Sequence, residues 1–95
     1  MDASGMDLKG FSTICRIEAR GTNFQGANLE GVVLSGNFAK ADFDGANMKG
    51  ASFFRSYFDD LAGADLQGAL FEESYFASGT FQGANIKGAA FEKRG

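Results

Sequence analysis

The chain has 95 residues, with 14 glycines, 11 phenylalanines and neither proline nor tryptophan. Its net charge of −3 argues against nonspecific binding to nucleic acid or insertion into an anionic membrane surface, because such binding needs clustered Lys and Arg. The lack of histidine and the single cysteine exclude histidine-based catalytic triads, the common histidine-containing zinc sites and an internal disulfide. We therefore expect no enzymatic activity, no metal site and no cofactor.

The N-terminal stretch MDASGMDLKG has neither the basic segment nor the apolar segment of a signal peptide. No stretch of the sequence approaches the roughly 20 apolar residues that cross a bilayer. The length suits a single domain over residues 1–95. We expect no membrane insertion and, by default, a cytoplasmic location.

Large apolar residues recur at every fifth position, and one eight-residue segment is repeated along the chain as FQGANLEG, FDGANMKG and FQGANIKG. A period of five fits neither the 3.6 of a helix nor the 2 of a continuous strand. Frequent glycine also opposes a helix. A short extended segment followed by a glycine turn, repeated many times, predicts a coil with flat sides. The period slips near Gly36 and Asp59–Asp60, and Phe11 reads as one inserted residue.

The number of sides follows from the spacing that best sorts the central residues of the repeats. Taking every fourth centre collects one wholly aliphatic column, whereas every third or fifth centre mixes aliphatic and aromatic residues in every column. This predicts four faces, numbered in the order in which the chain enters them. Their inward columns are Ala3, Phe24, Phe43, Leu61 and Phe81 for the first; Leu8, Leu29, Met48, Leu66 and Ile86 for the second; Ile14, Leu34, Phe53, Phe71 and Phe91 for the third; and Ala19, Phe38, Phe58 and Phe76 for the fourth.

The second face is the most regular. Alanine stands two residues before most of its centres, where a small side chain makes room inside a narrow tube. Asn or Asp stands one residue before the centre, where its side chain can bond the backbone at the corner.

These repeats resemble those of the pentapeptide-repeat family, whose pattern is A(D/N)LXX. ANLEG, ADFDG, ANMKG, ADLQG and ANIKG match closely, whereas IEARG, GNFAK, SYFDD and DDLAG depart from the alanine position. The resemblance implies an all-β fold, a right-handed four-sided parallel β-helix, here with between four and five coils. It also implies a structural or binding role without catalysis, and a thylakoid-lumen location is one that the family uses.

Residues that point outward one coil apart become vertical neighbours. Two such ladders, Lys9, Glu30, Lys49, Gln67 and Lys87, and Arg55, Glu73 and Lys93, read as solvated, weakly stabilising charge. Cys15 is expected to be an exposed, unreactive thiol, since no histidine activates it. Neither coil end has a convincing cap, so we expect a protein partner or a second copy to cover them.

Two surface patches deviate from this pattern. An acidic strip consists of Asp42, Asp44, Asp59, Asp60 and Asp65, and its interpretations are solvated carboxylates with corner hydrogen bonds, a DNA-like charge display or a cation site. An aromatic corner between the third and fourth faces consists of Val33, Phe54, Arg55, Tyr57, Leu70 and Tyr75. Exposed aromatic residues beside an arginine are typical of binding hot spots, although scattered apolar side chains also occur on ordinary surfaces.

The sequence thus predicts a non-catalytic structural or protein–protein interaction module that presents a rigid β-helix wall to a partner or larger assembly. The alternative, implied by quinolone-resistance members of the same family, is a DNA-mimicking inhibitor or protector of a type II topoisomerase.

Overall fold

The structure, a computed structural model, describes residues 1–92. It is a parallel β-solenoid of about four turns, as predicted. Its strands are β1 Ser12–Glu18, β2 Val33–Phe38, β3 Ser52–Phe54, β4 Tyr57–Phe58, β5 Leu70–Glu72, β6 Tyr75–Phe76 and β7 Ala90–Glu92. Every strand pair is parallel, in the order β6-β4-β2-β3-β5-β7 with β1 against β2.

The four-sided coil is confirmed by the backbone pairing. The first and second faces pair through isolated parallel bridges, such as Asn23 with Asp42 and Asn28 with Asn47. The third and fourth faces pair through β2 to β7, as in Leu34 with Phe53 and Phe38 with Phe58. One coil therefore contributes one short extended segment to each of four faces.

Glycine-containing turns make the corners on either side of the second face. In the turn after Phe24, the Ala27 N–H donates to the Phe24 carbonyl at 3.0 Å, and Gly26 has a φ of 67°. This is the positive φ that the third residue of a type II turn requires. The Asn23 side chain accepts the Gln25 N–H at 2.9 Å, and Asp7, Asn28, Asn47, Asp65 and Asn85 make the same bond. The predicted corner role of Asn and Asp is confirmed.

Stacked phenylalanines fill the tube. Phe38 and Phe58 are almost parallel, with ring centroids 4.9 Å apart, and Phe53 meets Phe58 edge-on at 5.0 Å. Both arrangements are favourable for aromatic rings. The second face is filled by Leu29, Met48 and Leu66, which are fully buried.

The first coil differs from the prediction, which placed Ile14 in the inward column. Ile14 is 94% exposed, and Ile17 packs against the core instead. The cause is a bulge: the step from Ser12 to Arg16 on β1 matches only the step from Val33 to Ser35 on β2. The Cys15 N–H donates to Thr13 Oγ1 at 3.1 Å within this bulge, and Cys15 is exposed.

Phe11 is not an inserted residue either. Its carbonyl accepts the Val33 N–H at 2.9 Å, so Phe11 holds the position two residues before the centre, and the extra residues follow Ser12. Ile17 lies beside Gly36, where an added Cβ would come 2.7 Å from Ile17 Cγ1. Because Gly36 has no side chain, the chain can pass there.

The slip in the period predicted near Asp59–Asp60 is a shortened corner after Phe58. Gly21 N–H donates to the Ala39 carbonyl at 2.8 Å at the equivalent corner of the preceding coil. One coil on, the Lys40 N–H instead donates to the Asp59 carboxylate at 2.8 Å. The Asp59 side chain therefore replaces the backbone acceptor at the shortened corner.

The last coil leaves two predicted core residues open to solvent. Ile86 and Phe91 are each 46% exposed, although Phe91 stacks on Phe71 with centroids 5.3 Å apart. Each residue has a neighbouring coil on one side only, so its column position does not bury it.

Candidate interaction surface

The aromatic corner is built where the chain turns from the third face to the fourth. Arg55 and Glu73 occupy equivalent corner positions with φ values of 49° and 51°. Their amides continue the vertical ladder, since Arg55 N–H donates to the Glu72 carbonyl at 2.9 Å and Glu73 N–H to the Glu92 carbonyl at 2.7 Å. The side chains also pair, with Arg55 Nε 3.7 Å from Glu73 Oε2. The third member predicted for that ladder, Lys93, lies outside the described residues.

Serines hold this corner from the inside. Ser56 Oγ accepts the Gly36 N–H at 3.1 Å and donates to the Phe54 carbonyl at 3.2 Å. Ser74 Oγ in turn accepts the Ser56 N–H at 3.2 Å. Sequence reasoning missed these residues, although the triplet Ser-Tyr-Phe at 56–58 and again at 74–76 was a signal for them. A fixed backbone under the corner holds the outer side chains in place.

A groove of about 540 Å³ runs along the third face at the corner. It is lined by Val33, Ser52, Phe53, Phe54, Arg55, Glu72 and Glu73. It brings together three of the predicted residues, Val33, Phe54 and Arg55. Leu70 lies on the same face, paired with Ser52 from the next coil.

The tyrosines lie around the corner on the fourth face. Tyr57 and Tyr75 are register partners of β4 and β6, with ring centroids 5.3 Å apart. Tyr75 is 67% exposed, and Tyr57 is half-buried beneath it. The aromatic corner therefore has two parts, a groove of mixed apolar and charged residues with an ion pair on the third face and a tyrosine pair on the fourth.

Arg16 also reaches this region, which the sequence did not indicate. Its Nη1 donates to the Arg55 carbonyl at 2.5 Å, passing the corner of the intervening coil. That corner is shorter, because the step from Leu34 to Asn37 on β2 matches the step from Phe53 to Tyr57 on the next coil.

The acidic strip is divided among different local roles. Asp42 accepts the Asp44 N–H at 3.0 Å and the Gln25 amide at 2.5 Å, and Asp60 accepts the Ala62 N–H at 3.0 Å. Asp65 lies 3.6 Å from Lys49 Nζ. Within residues 1–92 no group of three or more acidic or thiol side chains is placed to hold a metal. The carboxylates mainly satisfy the backbone and nearby side chains.

The Lys9 ladder pairs only in part as expected. Lys9 Nζ lies 3.6 Å from Glu30, whereas Lys49 pairs with Asp65 of the next coil rather than within the predicted ladder. The pKa of Asp2 is lowered, chiefly because the Ser4 backbone N–H bonds its carboxylate. In the part of the chain that is described, no helix has the length and apolarity to cross a membrane.

The fold and these surfaces define a β-solenoid repeat protein. The family model for pentapeptide repeats matches with 8 copies, over residues 16–36, 37–59 and 60–92. The chain belongs to the pentapeptide repeat family, whose proteins are generally non-catalytic. No curated protein matches the chain.

Two solved structures show the same fold. A pentapeptide repeat protein of the Arabidopsis thaliana thylakoid lumen is 28% identical with a TM-score of 0.51, and the match covers 93% of this chain and 59% of that one. QnrB1, a plasmid-mediated fluoroquinolone resistance protein, is 20% identical with a TM-score of 0.53, and the match covers 95% of this chain and 59% of that one. The present chain therefore spans less than two thirds of either relative.

Proposed function

We propose that this chain is a non-catalytic interaction module that binds a protein partner through the aromatic corner. The observation that carries the proposal is the adjacency of the groove at Val33, Phe54 and Arg55 to the stacked pair of half-buried Tyr57 and exposed Tyr75. Apolar and aromatic side chains around an arginine supply the contacts that dominate binding energy in protein interfaces. The hydrogen-bonded serines beneath the corner lower the entropic cost of ordering it on binding.

The test is affinity capture from a lysate of the source organism. Two bait variants change the corner. The first carries Tyr75→Ser alone, and the second carries Phe54→Ser, Tyr57→Ser and Tyr75→Ser together. Ile86→Ser is the matched control, because Ile86 is also an exposed apolar residue but lies on the second face. We expect the wild type and the control to retain the same protein, and the corner variants to lose it.

Equal capture by all baits overturns the assignment of the corner. Circular dichroism and thermal unfolding of each bait separate lost binding from lost folding, which matters because Phe54 and Tyr57 are half-buried. Tyr75→Ser is the cleanest bait, since most of its side chain is already in solvent.

The DNA-mimicking alternative has less support. A DNA-like display needs carboxylates free to meet a basic surface, whereas Asp42, Asp59 and Asp60 accept backbone hydrogen bonds and Asp65 is paired with Lys49. A supercoiling assay with purified DNA gyrase tests it directly. An unchanged supercoiling rate at excess protein removes this alternative.

A further inference from the structure

The groove on the third face lies over a small residue in an outer column of larger ones. Ser52 has Val33 and Leu70 as its register partners on the neighbouring coils, so a serine stands between two branched apolar side chains. Phe54 follows Ser52 by two residues on β3, which places both on the outer side of the sheet. Val33, Ser52 and Phe54 all line the groove. The groove thus has apolar walls and room for a side chain from another molecule.

The charged rim of the groove is only partly neutralised. Arg55 Nε lies 3.7 Å from Glu73 Oε2, so these two charges offset each other. The exposed carboxylate of Glu72 differs, because no ion pair or hydrogen bond engages it within residues 1–92. Its register partner on the next coil is Glu92, and like charges opposite one another in a sheet repel. The groove therefore carries a negative charge that its own arginine does not compensate.

A long cationic side chain suits these features. Lysine and arginine bury an apolar stem while their charged head stays at the surface. A stem that lies against Val33 and Phe54 leaves the head at Glu72, because Glu72 is the register partner of Phe54. The aromatic ring of Phe54 also attracts a cation.

Other occupants fit the groove less well. An acidic segment meets Glu72 with Glu92 beside it, whereas Arg55 is already paired. A wholly apolar segment that covers Glu72 leaves a carboxylate without a partner, which is unfavourable. Charge complementarity therefore favours a basic segment.

We infer that the groove receives an arginine or lysine side chain of the protein partner, with its stem against Val33 and Phe54 and its charged head at Glu72. The inference rests on the proposed function and deepens it, since it assigns the chemistry of the partner at one part of the aromatic corner. One side chain supplies little contact area, so an isolated basic segment binds weakly.

Titration with short peptides, followed by the NMR shifts of the backbone amides, measures this binding. The probes are acetyl-Leu-Arg-Leu-amide and the same peptide with Gln or Glu in place of Arg. We expect the arginine peptide to shift the amides of Ser52, Phe54 and Glu72, with a dissociation constant of about 1–10 mM. The glutamine peptide should bind about fivefold more weakly or worse, and the glutamate peptide should shift none of them.

Two variants separate charge from shape. Glu72→Gln removes the charge and keeps the shape, and it should weaken binding of the arginine peptide about fivefold or more. Ser52→Leu fills the groove and keeps the charge, and it should abolish the shifts. The outer column accepts this change, because Val33 and Leu70 already occupy it. Glu30→Gln is the matched control, since it removes the same charge on the second face, and it should leave binding unchanged.

Three results overturn the inference. They are equal binding of the arginine and glutamate peptides, unchanged binding by folded Glu72→Gln, and no shift of the groove amides at about 20 mM arginine peptide. Circular dichroism checks that each variant is folded.

Capture of the protein partner separates this inference from the proposed function. Loss of the partner with Tyr75→Ser, together with full capture by Glu72→Gln, keeps the aromatic corner as the interface and overturns the basic side chain in the groove. Loss with Glu72→Gln, together with full capture by Tyr75→Ser, supports the groove and overturns the part assigned to the tyrosines.

Discussion

The interior coils and the last coil have almost the same repeat sequence, but their inward side chains are buried to different extents. FQGANLEG and FQGANIKG differ at two positions, yet Leu29 is fully buried and Ile86 is 46% exposed. The difference is position in the stack, because a coil contacts only the coils above and below it. The same inward position is therefore fully buried between two coils and partly exposed beside one.

The largest expected effect comes from emptying the aromatic stack at its centre. Phe58 is fully buried and contacts the rings of Phe38, Phe43, Phe53, Phe71 and Phe76. We expect Phe58→Ala to lower the free energy of unfolding by about 3–5 kcal/mol. Phe91→Ala, in the half-exposed last coil, should cost about 1–2 kcal/mol. Denaturant midpoints measure both, and equal costs would show that the last coil is packed as tightly as the middle.

The next effect compares two glycines. Gly36→Ala places a Cβ against the Ile17 carbonyl and should cost about 3 kcal/mol through overpacking. Gly26→Ala meets nothing within 4 Å at a φ of +67° and should cost about 1 kcal/mol of backbone strain. Thermal unfolding of the two variants measures both losses of stability, and Gly36→Ala should unfold at the lower temperature.

Adding Ile17→Ala provides a control for Gly36→Ala. Because the blocking atom is a backbone carbonyl, we expect no rescue by the shortened side chain. Recovery of stability in the double variant would assign the clash to the Ile17 side chain instead.

A smaller effect compares the two corner serines. Ser56→Ala leaves the Gly36 N–H without the acceptor it has at 3.1 Å in a buried corner, which should cost about 1–3 kcal/mol. Ser74→Ala, nearer the exposed end, should cost less than about 1 kcal/mol. Hydrogen exchange of the Gly36 amide should accelerate in the first variant alone, and acceleration in both would show that the serines act as one unit.

The smallest effect concerns Asp2 in the exposed first coil. Because the Ser4 N–H bonds its carboxylate at 2.9 Å, the pKa of Asp2 is lowered. The resulting stabilisation is present above the pKa of the unfolded chain and is lost as pH falls through the lower folded value. NMR titration of the Asp2 carboxyl carbon measures this, with Ser4→Ala as a control that keeps the backbone donor. An Asp2 that titrates at the ordinary value contradicts the bond.

The sequence indicated where many residues of the candidate surface lie, but it did not reveal the hydrogen bonds that hold the corner together. The periodicity placed Tyr57 and Tyr75 as vertical neighbours and Arg55 at a corner, because outward positions recur with each coil. The contacts of Arg16 with Arg55 and of Ser56 with Gly36 depend on a corner that is one residue short. A shortened corner changes which atoms meet, and a count of residues does not reveal how the chain closes it.

The sequence by itself determined the five-residue period, the four columns and the Asn or Asp bond at the corners, since each follows from local geometry repeated along the chain. Only the tertiary structure decided that Ile17 rather than Ile14 enters the core, that the Asp59 carboxylate replaces a corner acceptor, and that Ile86 is open to solvent. The physical reason is that register at a bulge and burial at an end depend on the neighbouring coil. A repeat specifies its own turn and its own inward residue, whereas the coils stacked on it decide whether that residue is buried.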